Sequence, residues 1–190
     1  MPRQTPIILA SASPRRQELL KNAGIEFDVR PSHIPEVPLA GETPRAFGER
    51  MAREKAKAVH AQAQGRVILA ADTVVAVGDE ILGKPEDATD AARMLRLLSN
   101  RTHEVITAVC LLGNGFEDVR SETTAVHFNA MSEAEIADYV ATGEPMDKAG
   151  AYAIQGRASR WISKIDGDYY NVVGLPVDLV WRMLHEHNVV

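Results

Sequence analysis

At 190 residues, 45% hydrophobic and 25% charged, the chain is long enough for one domain with a substantial core. A net charge of −5 argues against binding a nucleic-acid polymer, which calls for a basic excess, so any basic site is local. The single cysteine, Cys110, excludes an intramolecular disulfide and fits a reducing cytoplasm. No apolar run reaches the ~18 residues that point to a membrane partner, and Met1-Pro2-Arg3-Gln4 shows no signal-peptide pattern.

The first apolar segment, near 7–11, reads as a buried strand. It runs into a loop of small residues and a helix near 14–23 that ends at Gly24, with Ser13 as N-cap and Pro14 at the first helical position. A short strand near 27–31 follows, then a helix from Thr43-Pro44 to about 62. Val67 to Val77 reads as a central strand that turns at Gly78-Asp79 and returns through Ile81-Leu82. A helix near 88–99 carries Ala91, Met94, Leu95 and Leu98 on one face, with Asp87 as N-cap. Strands near 103–113 and 119–128 flank Gly113-Asn114-Gly115, and Cys110 reads as a buried structural thiol within the first of them. Ser132 and Glu135 form a capping box for a helix ending near Gly143. Short strands are expected next. Pro176 then opens a closing helix with Val177, Val180, Trp181 and Leu184 inward, and its His185-Glu186-His187 reads as solvated. Hairpins interspersed with crossover helices predict an α/β protein with a mixed sheet.

Five places carry chemistry. In Ser11-Ala12-Ser13-Pro14-Arg15-Arg16, two arginines in the first helical turn oppose the helix dipole. A bound phosphate resolves that conflict, because N–H groups and guanidinium forks both favour it; an exposed arginine pair on a surface helix is the plainer reading. Asp72 interrupts an otherwise apolar strand. A carboxylate there is paired, metal-bound or at a cleft mouth, and serves as ligand, base or structural cap. Gly78 to Lys84 spells G-x-x-x-x-G-K but is no P-loop, since Pro85 stands where a hydroxyl should bind Mg²⁺ and the context is a hairpin. Lys84 can still meet phosphate as a point charge. Lys55 shares a helical face with Met51 and Val59, so it either snorkels out, the usual outcome, or reaches into a site. Finally, Asp147 to Gly156 is small and glycine-containing, and the Gln155 amide can donate and accept at once, as the N3–H and O4 of uracil or thymine require.

Ser11 to Arg16, Ala71-Asp72-Thr73-Val74-Val75, Gly83-Lys84-Pro85, Lys148 to Tyr152 and Gly174-Leu175-Pro176 stand in one order over nearly the whole chain. In that order they resemble the Maf family of nucleoside triphosphate pyrophosphatases. The resemblance implies an elongated mixed sheet flanked by helices, with two lobes around a cleft, as in the inosine triphosphate pyrophosphatases. It implies hydrolysis of a nucleoside triphosphate to the monophosphate and pyrophosphate with Mg²⁺ or Mn²⁺, and leaves room for a homodimer. It assigns Asp72 as proton acceptor, and Arg15, Thr73 and Gln155 as specificity determinants. Ser11, Arg15, Arg16, Lys55 and Lys84 become phosphate contacts, with Lys148 assisting, and Asp72 and Glu36 become metal ligands. Gln155 resembles the branch that acts on dTTP and UTP; the 7-methyl-GTP branch typically has an acidic residue there, suited to the N1–H and N2 donors of guanine. The chain departs from the family at Ile34-Pro35-Glu36, where an Asp usually precedes the Glu. A nucleotide-binding regulator of cell division without turnover is the competing class.

Overall fold

A computed structural model describes residues 5–63 and 65–190; Met1-Pro2-Arg3-Gln4, which carried the signal-peptide reading, lie outside the described residues. In chain order the elements are β1 (Ile7–Leu9), α1 (Pro14–Asn22), β2 (Phe27–Val29), α2 (Pro44–His60), β3 (Ile68–Val77), β4 (Glu80–Leu82) and α3 (Ala88–Leu98). They continue with β5 (Thr102–Gly113), β6 (Phe116–Phe128), α4 (Glu133–Ala141), β7 (Ile162–Asp166), α5 (Tyr169–Val173) and α6 (Val177–Glu186). Seven strands form one mixed sheet in the order β2-β1-β3-β5-β6-β7, with β4 on the free edge of β3. The β1–β2 and β1–β3 pairs are parallel, and the rest are antiparallel.

Local chemistry sets the helix starts. Ser13, Thr43, Asp87 and Ser132 cap α1 to α4 with side-chain acceptors, and Ser132 with Glu135 completes the capping box. The region after α4 departs from expectation. Glu144–Asp147, Ala149–Ala151 and Arg157–Trp161 are 3₁₀ turns, and only β7 is a strand. Pro145 starts the first turn and Gly150 sits at φ +69, a left-handed conformation no strand accepts.

The sheet is covered in pieces, and β3 shows where the pieces meet. On one face Leu69 and Ala71 pack with α1 and α6, while Val75 packs with α3 and α4. On the other, Ile68 and Ala70 meet Ala52, Ala56 and Val59 of α2, and Val74 meets its Phe47 and Met51. Gly48 lets α2 come this close, since a Cβ there would lie 3.3 Å from Val74 Cγ2. The alternation breaks at one level, with Asp72 on one face and Thr73 on the other. At that level the β3 edge is also uncovered: β1 pairs it only through Leu69, and β4 only from Val75. The sheet edge therefore has a gap at Asp72 and Thr73, between β1 and β4.

Trp181 corrects the expected inward face of α6. It is 40% exposed, while Leu179, Val180, Met183 and Leu184 are buried. His187 is also less solvated than expected, stacking on Phe116 at 4.0 Å and lying 3.0 Å from Asp118. Cys110 is fully buried, and burial pushes its thiol up to about 12, which leaves it inert.

Candidate active site

A cleft of about 580 Å³ opens at the gap in the β3 edge, a size suited to a small-molecule ligand. Ser11, Arg15, Arg16, Glu36, Lys55, Asp72, Thr73, Lys84 and Lys148 all line it. Of the residues singled out from sequence, only Gln155 is not in the wall; it is exposed and directly follows Ile154, which lines an adjoining recess.

Lys55 does not snorkel. It is 8% exposed, and its Nζ lies 2.6 Å from Oδ1 of Asp72 and 2.7 Å from Oε1 of Glu36. The helical face shared with Met51 and Ala52 aims it inward, because those neighbours are buried against the sheet. Glu36 arrives on the loop after β2. Ile34 packs on the Phe47–Met51–Val74 cluster, and Arg50 holds the loop by bonding Val37 O at 2.9 Å and forking onto Glu42. Asp72 is 6% exposed. Burial raises its pKa above the ordinary value, and Lys55 and Arg16 offset only part of that rise. At Glu36 burial also favours the neutral form, but the Lys55 hydrogen bond and the charges of Lys55, Lys84 and Arg16 outweigh it and lower the pKa. The two carboxylates thus differ in basicity, the pattern that separates roles at a reactive centre.

Arg16 is tied into the protein more than expected. Its Nε donates to Gly174 O at 2.8 Å, Nη1 to Ala71 O at 2.9 Å and to Ser11 Oγ at 3.3 Å, and Nη2 to Thr73 Oγ1 at 3.0 Å. Four of its five N–H groups are occupied, so one remains for a ligand. The guanidinium replaces the missing strand at Ala71 O and pins α1 to β3. Arg15 has no hydrogen-bond partner among the described residues and is the arginine better placed to meet an anion. Ser11 Oγ accepts from Ser13 N as well as from Arg16, which leaves its O–H to donate.

The opposite wall is the turn through Lys148 and Ala149. Gly150 N donates to Gly83 O at 3.1 Å, which joins this turn to the loop carrying Lys84. Lys148 also pairs with Asp147. Beside the cleft, and sharing Arg15, Arg16, Thr73 and Lys148 with it, lies a small recess whose remaining wall includes Val75, Val105, Tyr152 and Ile154. A charged cleft continuous with a small recess of mixed polar and apolar lining suits a ligand with a polyanionic end and an end that both packs and hydrogen-bonds.

Among the described residues no three His, Cys, Asp or Glu side chains cluster to hold a metal. Asp72 and Glu36 do converge on one cation, the Lys55 ammonium, and an oxygen-only pair of carboxylates fits a hard divalent ion that takes its other ligands from phosphate and water. His33, which also lines the cleft, has no sequence signal to mark it.

A family model described as Maf-like protein matches residues 6–187. The chain belongs to the Maf family. It is 55% identical over 183 residues to the dTTP/UTP pyrophosphatase of Koribacter versatilis (strain Ellin345), covering 96% of this chain and 95% of that one. The dTTP/UTP pyrophosphatase of Geobacter metallireducens is 52% identical over 179 residues, with 93% of each chain covered. That of Syntrophomonas wolfei is 50% identical over 178 residues, covering 93% and 94%. The mixed sheet and flanking helices agree with the Maf resemblance drawn from the motifs. No described helix is long and apolar enough to cross a membrane.

Proposed function

We propose that this Maf protein hydrolyses dTTP and UTP to the nucleoside monophosphate and pyrophosphate. The observation that carries the proposal is the buried Asp72–Lys55–Glu36 group at the head of a cleft lined by Arg15, Lys84 and Lys148. A phosphoanhydride needs little covalent help from a protein; it needs positioned cations and a base for water. Asp72, the carboxylate with the raised pKa, takes the proton of the attacking water at the α-phosphorus. Ser11, Arg15, Arg16, Lys55 and Lys84 hold the phosphates and neutralise charge on the departing pyrophosphate, and Lys148 assists. Asp72 and Glu36 are the side chains that would hold Mg²⁺ or Mn²⁺, which when bound would polarise phosphoryl oxygens and acidify its water. Arg15, Thr73 and Gln155 read the nucleoside, with the base in the recess and the Gln155 amide at its rim.

The dTTP/UTP names of relatives at 50–55% identity support the substrate, and Gln155 supports a pyrimidine over 7-methylguanine. A cytoplasmic location and a homodimer belong to the same proposal. The first is supported by the lone, buried Cys110 and the second by the exposed Tyr169, Tyr170 and Trp181; sedimentation of the purified protein tests the dimer. The activity test incubates the protein and Mg²⁺ or Mn²⁺ with dTTP, UTP, CTP, GTP and 7-methyl-GTP, and identifies the products. Monophosphate and pyrophosphate from dTTP and UTP are expected. Preferred cleavage of 7-methyl-GTP, or binding without turnover of any of the five, would overturn the proposal.

A further inference from the structure

Behind Thr73 runs a chain of hydrogen bonds into the sheet. Arg16 Nη2 donates to Thr73 Oγ1 at 3.0 Å, Thr73 Oγ1 lies 2.9 Å from Thr107 Oγ1, and Thr107 Oγ1 lies 3.0 Å from the backbone oxygen of Asn171. Thr107 and Asn171 are completely buried. The Asn171 side chain is fully engaged: Oδ1 accepts from Thr107 N at 3.1 Å, and Nδ2 donates to Val105 O and Thr124 Oγ1, both at 2.9 Å. Its amide acts as a short length of strand beside β5 and fixes Thr107 in place.

The direction of this chain follows from counting hydrogens. A hydroxyl carries one proton and two lone pairs. A guanidinium only donates and a carbonyl only accepts, so the two ends are set. Thr107 gives its proton to Asn171 O, and Thr73 has two acceptors for its own, Thr107 Oγ1 at 2.9 Å and Gly174 O at 3.4 Å, of which Thr107 is the nearer. Thr73 Oγ1 therefore accepts from Arg16, donates to Thr107, and keeps one lone pair and no proton. Thr73 is also a wall residue of both the cleft and the recess.

We infer that Thr107 and Asn171 are positioning residues that fix the Thr73 hydroxyl as a pure acceptor toward the ligand, so that the recess selects a base with a ring N–H. Uracil and thymine present N3–H; cytosine presents a bare N3 lone pair, which faces another lone pair. The inference rests on the proposed placement of a pyrimidine in the recess. It gives N3–H to Thr73 and leaves Gln155 the neighbouring O4 carbonyl.

The test is equilibrium binding of UTP and CTP, without divalent metal, to the wild type, Thr107→Val and Thr107→Ser. Valine keeps the shape of threonine and removes the nearer proton acceptor, which leaves the Thr73 O–H only the long contact to Gly174 O at 3.4 Å and lets it turn and donate to the ligand. The UTP-over-CTP preference is expected to fall about tenfold in Thr107→Val, the scale of a polar mismatch in a desolvated site, and to be kept in Thr107→Ser. A purely structural role for Thr107 would weaken both nucleotides together. A folded Thr107→Val with the wild-type preference, or a serine variant that behaves as the valine one, overturns the inference. If Thr107→Val does not fold, the wild type is compared on UTP and its N3-methyl derivative: equal binding overturns the inference, and a loss of tenfold or more supports it. A wild type that binds UTP over CTP but hydrolyses neither would sink the proposed function alone.

Discussion

Lys55 and Asp72 form a buried ion pair at 2.6 Å, and the same ammonium reaches Glu36 at 2.7 Å. One cation therefore holds a carboxylate of the central strand and a carboxylate of a surface loop in a single group. Lys55→Met keeps the aliphatic stem and removes that cation. Leaving a buried charge uncompensated costs about 3 kcal/mol, so thermal unfolding is expected several degrees lower. Turnover is expected to fall about a hundredfold, because the proposed phosphate contact and the observed hold on Glu36 are both lost. Unchanged stability together with unchanged turnover would show that the pair is neither structural nor functional.

Arg15 and Arg16 are adjacent but do different work. Arg16→Lys cannot reproduce a fork that reaches Gly174 O, Ala71 O, Ser11 Oγ and Thr73 Oγ1 at once, so it is expected to lose about 2 kcal/mol of stability as well as activity. Arg15→Ala, with no protein partner to abandon among the described residues, is expected to leave the unfolding temperature in place and raise KM. Denaturation curves and steady-state kinetics on the two variants separate the roles; equal loss of stability in both would contradict the assignment.

Gly150 ties the Lys148 turn to the Lys84 loop. A Cβ there would stand 2.8 Å from Val75 Cγ1, at a φ of +69 that L-residues avoid. Gly150→Ala is expected to destabilise the protein by about 2–3 kcal/mol. KM for the nucleotide should rise, since the turn that moves forms one wall of the cleft. Urea titration and KM on the same preparation check both effects.

His103 predicts acid sensitivity from behind the recess wall. Its Nε2 lies 2.7 Å from the Tyr152 hydroxyl, and burial, with a smaller push from His127, depresses its pKa from the ordinary 6.5 to about 4. Between those values the unfolded chain binds a proton that the folded one refuses. Stability is therefore full above pH 6.5 and is lost as the pH falls toward 4, by about 3 kcal/mol from this group. His103→Gln, which keeps a polar group near the Tyr152 hydroxyl, should flatten the fall. Identical slopes of stability against pH in the two proteins would exclude His103 as the source.

Much of this was legible in the sequence because short-range rules governed it. Ser13-Pro14 and Ser132–Glu135 announce helix starts through caps that span three residues. Asp72 announces itself as a charge in an apolar strand. The rest depended on contacts between distant segments. Arg16 looked like a phosphate clamp, and only the fold shows that Ala71 O, Gly174 O, Ser11 Oγ and Thr73 Oγ1 take most of its donors. Lys55 sits on an apolar face whether it snorkels or turns inward; the decision belongs to Asp72 and Glu36. Of the strands expected after Gly143 only β7 formed; the stretch before it became 3₁₀ turns, since Pro145 and the left-handed Gly150 override the apolar residues between them. Trp181 turned outward, as only the position of α6 against β5 decides. Thr107 and Asn171 carry no motif at all; their role follows from a register that sets Thr107 opposite Thr73.

The central claim is that Asp72 directs water onto the α-phosphorus of a pyrimidine triphosphate. The most direct measurement is hydrolysis of UTP in water enriched in heavy oxygen, followed by mass analysis of the products. Label in the uridine monophosphate, with its formation at least about a hundredfold slower in Asp72→Asn, is the expected result. Label in pyrophosphate or orthophosphate, or an Asp72→Asn variant of normal rate, would contradict it.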